Sequence, residues 1–221
     1  MIVPEALTLR KPQTPGITAA AVSVATALEA LSQQANFAPT LTAAVGRIAS
    51  AALLLAKISG AETSVMFSGR GPVRSIGVVA SVEALLGIEV ENPEADVPIP
   101  EKGSFDVPAL IGDLGLLTVE RAGRSEAIPF VRGGIGEEIA QYLWEIEDKR
   151  SLVVLSEVLS PSGVEAAGGL IVVLDDEVGD DTVSRLEASF ASFGALSDHL
   201  RRRETPEEWL TALLAGVWPR P

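Results

Sequence analysis

The stretch Leu41–Ile58 limits this chain more than any other. Apolar residues fall on every side of a 3.6-residue period there, and only Arg47 and Lys57 carry charge. A helix that is apolar nearly all round must be enclosed by other elements, so it belongs at the centre of a domain. Pro39-Thr40 opens it and Gly60 stops it. The longest unbroken apolar run in the chain is Ala51–Ala56. That is far short of the ~20 residues that span a bilayer, so no transmembrane helix is expected. The first residues, MIVPEALTLRKP, show no basic segment leading an apolar one, and no signal peptide is expected.

The rest of the chain has to supply the enclosure. Residues 1–15, with Pro4, Pro12 and Pro15, read as an irregular or strand-edge leader. Ile17–Val24 reads as a strand and Ala25–Ala35 as a helix. Strands are predicted at Thr63–Ser68, Val73–Ala80, Leu85–Val90 and Gly115–Glu120, with Ala127–Val131 pairing back across a turn at Arg121–Ser125. Glu91–Gly103, rich in Pro and acid, reads as a surface loop. Gly133–Leu174 then reads as helix, strand, turn, strand. Ile135, Ile139, Tyr142 or Leu143, and Ile146 make one buried stripe, with Glu137 and Glu138 in the first turn. Leu152–Leu155 continues through Glu157–Leu159, Ser160-Pro161-Ser162-Gly163 turns, and Leu170–Leu174 returns through Gly168-Gly169. The fold class is α+β: mostly antiparallel sheets packed with a central buried helix, in a domain of residues 1–174.

After Leu174 the composition changes. Asp175-Asp176-Glu177 and Gly179-Asp180-Asp181 form an acidic boundary. A helix follows with Val183, Leu186, Phe190 and Phe193 on one face. Thr205-Pro206-Glu207-Glu208 starts another, combining a capping box with proline at the first helical position. Trp209, Leu210, Leu213 and Leu214 give it an apolar side. Residues 175–221 therefore read as a two-helix arm whose apolar side must lie on something.

Several function classes are excluded or weakened by composition. A net charge of −13 argues against nucleic acid, which needs clustered Lys and Arg; the single basic run, Arg201–Arg203, reads as a solvated helix end. With no Cys there is no thiol catalysis, disulfide or cysteine zinc site, and with one His there is no histidine-rich metal centre. His199 itself reads as a surface helix residue. Gly69-x-Gly71 resembles a phosphate loop, but Pro72 stands where a helix would begin donating amides. Gly133-Gly134-x-Gly136 precedes a helix, but Glu137 and Glu138 would repel an anion. Both read as turn glycines. Glu137/Glu138 and Glu145/Glu147 do not converge from one helix face and read as solvated. There is no Gly-x-Ser-x-Gly elbow. No enzyme is expected, and no catalytic, cofactor or metal residue is assigned.

In order along the chain, these segments resemble the 33-kDa heat-shock proteins, the redox-regulated holdase chaperones. Thr42–Leu55 resembles that family's central helix, Gly69-Arg70-Gly71-Pro72 its Gly-x-Gly-Pro turn, and Gly115–Val119 one of its strands. Ile135–Leu143 is similar to its acidic helix ending in Tyr-Leu, and Ala166-Ala167-Gly168-Gly169 to its Ala-Gly-Gly strand entry. The arm around Thr205–Glu208 resembles its linker helices. Three family motifs are reduced or missing: Ser-Glu-Gln would fall on Ile146-Glu147-Asp148, Tyr-x-Gly near Arg124–Glu126, and Arg-Gly-Tyr on Leu86-Gly87-Ile88. The family's zinc module, with Cys-x-Cys and Cys-x-x-Cys, has no counterpart. Either it has been removed or this is a cysteine-free relative.

The resemblance implies a cytoplasmic, ATP-independent holdase that binds unfolding or aggregation-prone proteins on apolar surface, with a homodimer plausible and no zinc-gated switch in this chain. Nucleic acid and membrane are not expected partners. Leu186, Phe190, Phe193, Trp209 and Leu213 are the residues expected to mask the client surface, unless they simply pack terminal helices on the core. The alternative is a regulatory or scaffold interaction module that kept the fold and lost chaperone activity.

Overall fold

The central helix is α2 (Pro39–Ser59), and every residue from Thr40 to Ala56 except Arg47 is buried. The computed structural model describes residues 2–10, 15–99, 105–130 and 134–217. By length and hydropathy α2 is also apolar enough to cross a bilayer, but 83% of its most apolar window is buried inside the fold. It lies between two antiparallel sheets. Elements before it are β1 (Ala6–Arg10), β2 (Ile17–Ser23) and α1 (Ala25–Ala35). After it come β3 (Thr63–Gly69), β4 (Ser75–Ala80), β5 (Leu85–Val90), α3 (Val107–Ile111), β6 (Gly115–Arg121), β7 (Arg124–Phe130), α4 (Gly136–Glu147), β8 (Arg150–Ser160) and β9 (Gly163–Leu174). One sheet has the order β5-β4-β3-β6-β7 and the other β1-β2-β9-β8. The α+β expectation therefore holds.

The second sheet has two apolar faces, which explains why its strands read as continuous apolar runs rather than alternating ones. Ala20 and Val22 of β2, with Ala167, Ile171 and Val173 of β9, face α2 and the main core. Ile17, Ala19 and Ala21, with Leu170, Val172 and Leu174, face the opposite way into a separate cluster. Strand β8 divides likewise: Val153, Leu155 and Leu159 face the core, and Leu152, Val154 and Val158 face the second cluster. Arg47, the charged residue within the buried stretch of α2, is spent on this sheet. Its guanidinium grips Glu157 of β8 in two-pronged fashion, at 2.9 and 2.7 Å.

Several details differ from the sequence reading. Strand β9 begins at Gly163 rather than Leu170, because Val164–Ala167 continue the pairing with β8. Helix α3 was not anticipated; it is short and starts in a Pro-rich segment, where Asp106 accepts from Ala109 N–H as the cap. Gly69 and Gly71 answer to this helix: Gly71 N–H donates to Ile111 O at 2.8 Å, and a Cβ at either glycine would strike the α3 carbonyls. The Gly-x-Gly pair is thus a packing contact, in keeping with turn glycines. The β6–β7 turn is the two residues Ala122-Gly123, both at positive φ as a tight hairpin requires. The leader is partly regular, since β1 pairs with β2 at the sheet edge. Residues 11–14, the end of the acidic loop at 100–103, Val131 and Gly133 lie outside the described residues. Glu138 is buried rather than solvated: its carboxylate accepts from Ile135 N–H at 2.6 Å, closing the start of α4.

Candidate functional site

The second cluster is completed by three helices, not two: α5 (Asp180–Phe193), α6 (Leu196–Arg201) and α7 (Pro206–Leu213). Each begins for a legible reason. Asp180 and Asp181 sit in the first turn of α5, where the helix dipole favours them. At α7, Thr205 Oγ1 accepts from Glu208 N–H at 3.3 Å while Glu208 accepts from Thr205 N–H at 2.6 Å, and Pro206 holds the first helical position. Hydrogen bonds donated by the Thr205 N–H and then by its hydroxyl hold the Glu208 carboxyl below its ordinary range.

The five residues singled out in the sequence come together here. Leu186 and Phe193 of α5 and Trp209 and Leu213 of α7 are buried against the outer face of the second sheet, and Phe190 packs there half-buried. Trp209 is 1% exposed. It sits over Gly168: a Cβ at that position would lie 3.1 Å from its ring. On the other face, a Cβ at Gly169 would lie 3.3 Å from Leu54 of α2. The Gly-Gly pair therefore thins the sheet so that the arm and the central helix approach it from opposite sides. Reading the sequence alone missed Leu196 and Leu200 of α6, both buried in the same cluster. Their spacing of four was the available signal, but α6 is too short for periodicity to declare itself.

The arm is packed unevenly. Val183 and Phe190 are only half-buried, and a cavity of about 290 Å³ lies under α5, lined by Arg150, Leu152, Leu174, Leu186 and Phe190 among others. Trp209 Nε1, by contrast, is fully enclosed and has no hydrogen-bond partner among the described residues. An orphaned buried N–H costs about 1–3 kcal/mol, so the arm carries a built-in penalty at its best-packed residue.

His199 corrects the sequence reading of a surface residue. It is buried, stacked on Phe193 with ring centroids 3.9 Å apart. Its Nε2 lies 2.8 Å from Phe193 O, at the C-terminal end of α5, and its Nδ1 faces the Glu204 carboxylate. The carbonyl can only accept, so Nε2 carries a proton. Hydrogen bonds with His199 and then Arg202 hold the Glu204 carboxyl below its ordinary range. The histidine ties α5, α6 and the α6–α7 turn together.

The zinc that the family resemblance implies does not fit the residues present. There is no cysteine, and both ring nitrogens of the single histidine are engaged. Among the described residues no group of three or more His, Asp or Glu is placed to hold a metal ion.

Comparison with known proteins locates this architecture. The chain is 36% identical over 192 residues to the 33 kDa chaperonin of Thermus thermophilus, covering 82% of this chain and 56% of that protein. It is 35% identical over 176 residues to the 33 kDa chaperonin of Deinococcus radiodurans, with 75% and 60% covered. For the one from Caldanaerobacter subterraneus it is 32% over 187 residues, with 80% and 64% covered. The chain thus spans less than two thirds of the length of these relatives. The crystal structure of the 33 kDa chaperonin (heat shock protein 33 homolog) from Thermotoga maritima superposes with a TM-score of 0.85 at 24% identity, covering 95% of this chain and 74% of that one. It shares the fold. The family model described as Hsp33 protein matches residues 12–220, from the leader through the two-faced sheet to the end of the arm, and the chain belongs to that family.

Proposed function

We propose that this chain is an ATP-independent holdase chaperone, in which residues 1–174 form the client-binding core and residues 175–221 a detachable cover. The observation that carries the reading is the second apolar cluster, built from the outward faces of β2, β9 and β8 and, among the described residues, roofed by α5, α6 and α7. Lifting the roof exposes a continuous apolar face of the kind that unfolding proteins adhere to. Leu186, Phe190, Phe193, Trp209 and Leu213 are the masking residues. The relatives' name, 33 kDa chaperonin, supports a chaperone role. The partners are unfolded or aggregation-prone proteins, in the cytoplasm, and a homodimer formed by exchange of the arm is a low-cost assembly. Residues 1–221 hold no cysteine, so the release of the arm is ascribed to packing. Heat melting of residues 175–216 is the trigger. The orphaned Trp209 Nε1 and the cavity under α5 both favour release. A net charge of −13 keeps client complexes apart by repulsion.

The test is light scattering of a heat-unfolded client with the full chain and with a form ending at Leu174. Suppression by the full chain on heating, without nucleotide, supports the reading; suppression by the shortened form at 25 °C assigns the arm as the cover. If neither suppresses aggregation while both remain folded, the chain is a regulatory or scaffold module instead. The tight burial of Trp209, Leu210 and Leu213 would then be read as permanent packing.

A further inference from the structure

Strand β8 is an edge strand, and its sequence lacks the devices that usually protect an edge, although α4 packs beside part of it. Proteins blunt exposed edges with proline, lysine, short length or a covering element. The other edges here follow that practice: β7 carries Pro129 and the charged Arg124 and Glu126, β1 is only five residues long, and β5 is bridged at Leu85 by Ile2. Strand β8 runs eleven residues, SLVVLSEVLS after Arg150, with neither proline nor lysine. Its one acid, Glu157, is 4% exposed and locked to Arg47. Taken as whole residues, all eleven are partly buried, none of them fully enclosed.

The direction of its backbone groups can be assigned. Val154 O lies 3.0 Å from where a Cβ at Gly169 would stand, so Val154 turns its N–H and C=O toward β9. Antiparallel pairing alternates, which turns those of Ser151, Val153 and Leu155 outward. Val153 O accordingly lies 3.6 Å from the Cβ position of Gly136, at the start of α4. These outward groups make no hydrogen bond among the described residues. Ser151 Oγ is enclosed and also lacks a partner. They open into a groove of about 630 Å³ between β8 and a far wall made by Phe105 and Pro108, at α3, and by Gly134 and Glu137, at α4. Among its described lining residues the one cation, Arg47, is already paired with Glu157.

We propose that this groove takes one extended polypeptide segment of an unfolding protein, which adds as a strand to the edge of β8 at Ser151–Leu155. The ligand chemistry follows from what is unpaired: N–H and C=O groups repeating about every 6.8 Å, a pattern offered by any extended backbone. Recognition through the backbone accepts every sequence, with Glu137 as the acid left on the described lining once Arg47 is paired. A second folded copy is disfavoured as occupant, because it would bring its own α3 and α4 walls into the same groove. The proposal rests on the chaperone reading for the identity of the partner, but it concerns a different surface from the one beneath the arm.

The test is amide hydrogen exchange on the full chain with a capped eight-residue peptide of alternating Thr and Val, and with the same peptide N-methylated at every central amide. The expected result is at least tenfold added protection at Ser151, Val153 and Leu155 with the first peptide and none with the second. The amides of Leu152 and Val154, already paired with β9, stay unchanged. Ser151→Pro, which removes an outward N–H that an edge strand can spare, abolishes the effect and weakens suppression of client aggregation. Protection confined to α5–α7, or none, overturns the edge site while leaving the holdase reading intact. Protection of the same three amides that rises with protein concentration in the absence of peptide overturns it in favour of a second copy. Peptide pairing without any suppression of client aggregation upholds the edge site and rejects the holdase reading.

Discussion

Trp209→Ala separates the arm from the core energetically. Removing a large buried aromatic costs about 3–5 kcal/mol through lost transfer and the cavity left behind. Trp209 meets the burial condition at 1% exposure, within the cluster between α7 and the outer sheet face. The deletion also removes an indole N–H that has no partner among the described residues, which returns about 1–3 kcal/mol. The expected net loss is about 2 kcal/mol, or roughly thirtyfold in the opening equilibrium. Because the side chain touches only the second cluster, that loss should fall on α5–α7. Amides of those helices should exchange about thirtyfold faster, with binding of an apolar-surface dye, while β3 and β6 in the other sheet keep their protection. Trp209→Phe should cost markedly less than its lost ring area implies, since the orphan N–H goes while much of the packing stays. Uniform loss of protection across both sheets in Trp209→Ala would refute the reasoning, because the arm would then be part of one cooperative unit.

The Arg47–Glu157 pair offers a second check: Glu157→Gln should lower stability by about 3–5 kcal/mol by stranding a mostly buried guanidinium. The double replacement Arg47→Met with Glu157→Leu should recover most of that in a chemical denaturation curve. The Glu204 carboxyl is lowered by its hydrogen bond with His199 and then by Arg202. A depressed carboxyl stabilises the folded state above its unfolded value, and that stability is lost as pH falls through the folded one. The arm should therefore loosen in acid, below the ordinary carboxylate range near 4.5, and Glu204→Gln should flatten this part of the pH dependence of arm amide exchange. Gly71→Ala should destabilise the core by more than about 2 kcal/mol in thermal melts, because the added methyl meets the Leu110 carbonyl at the end of α3.

The parts of the fold that were legible are those where a pattern has one physical meaning. An all-round apolar helix such as α2 can only be central, and Thr205-Pro206 with Glu208 can only begin a helix. Strand β9 was legible only where it is purely apolar, because Gly163–Gly169 mixes glycine, alanine and a charge and owes its strand state to pairing with β2 and β8. The apolar residues of the arm were legible as stripes, but their target was not. Which face of β2 and β9 they cover depends on register, and a sheet apolar on both faces gives no alternation to read. His199 was misplaced for a related reason: its burial comes from Phe193 and Glu204, which the α5–α6 and α6–α7 turns bring to it. The open edge of β8 was invisible in sequence, because a strand run does not say which of its sides is paired.

The two-faced sheet is what the proposed release of the arm from an intact core relies on. Gly168 and Gly169 are adjacent, yet one serves Trp209 and the other Leu54. The same division runs through β2, β8 and β9: Val172 and Ile171 are neighbours in different clusters. When the arm lifts, only one set of side chains loses its partners. The other set, with α2 and the five-stranded sheet, keeps every contact it had, and the ladder hydrogen bonds from β1 to β8 lie in the plane between the two. The exposed face that remains is held flat by the core on its far side. A thiol switch is one way to move such a cover, but the sheet does not require it. Any perturbation that weakens the packing of α5–α7 more than that of α2 does the same, and the half-buried Val183 and Phe190 over a cavity make α5 the natural place for it to begin.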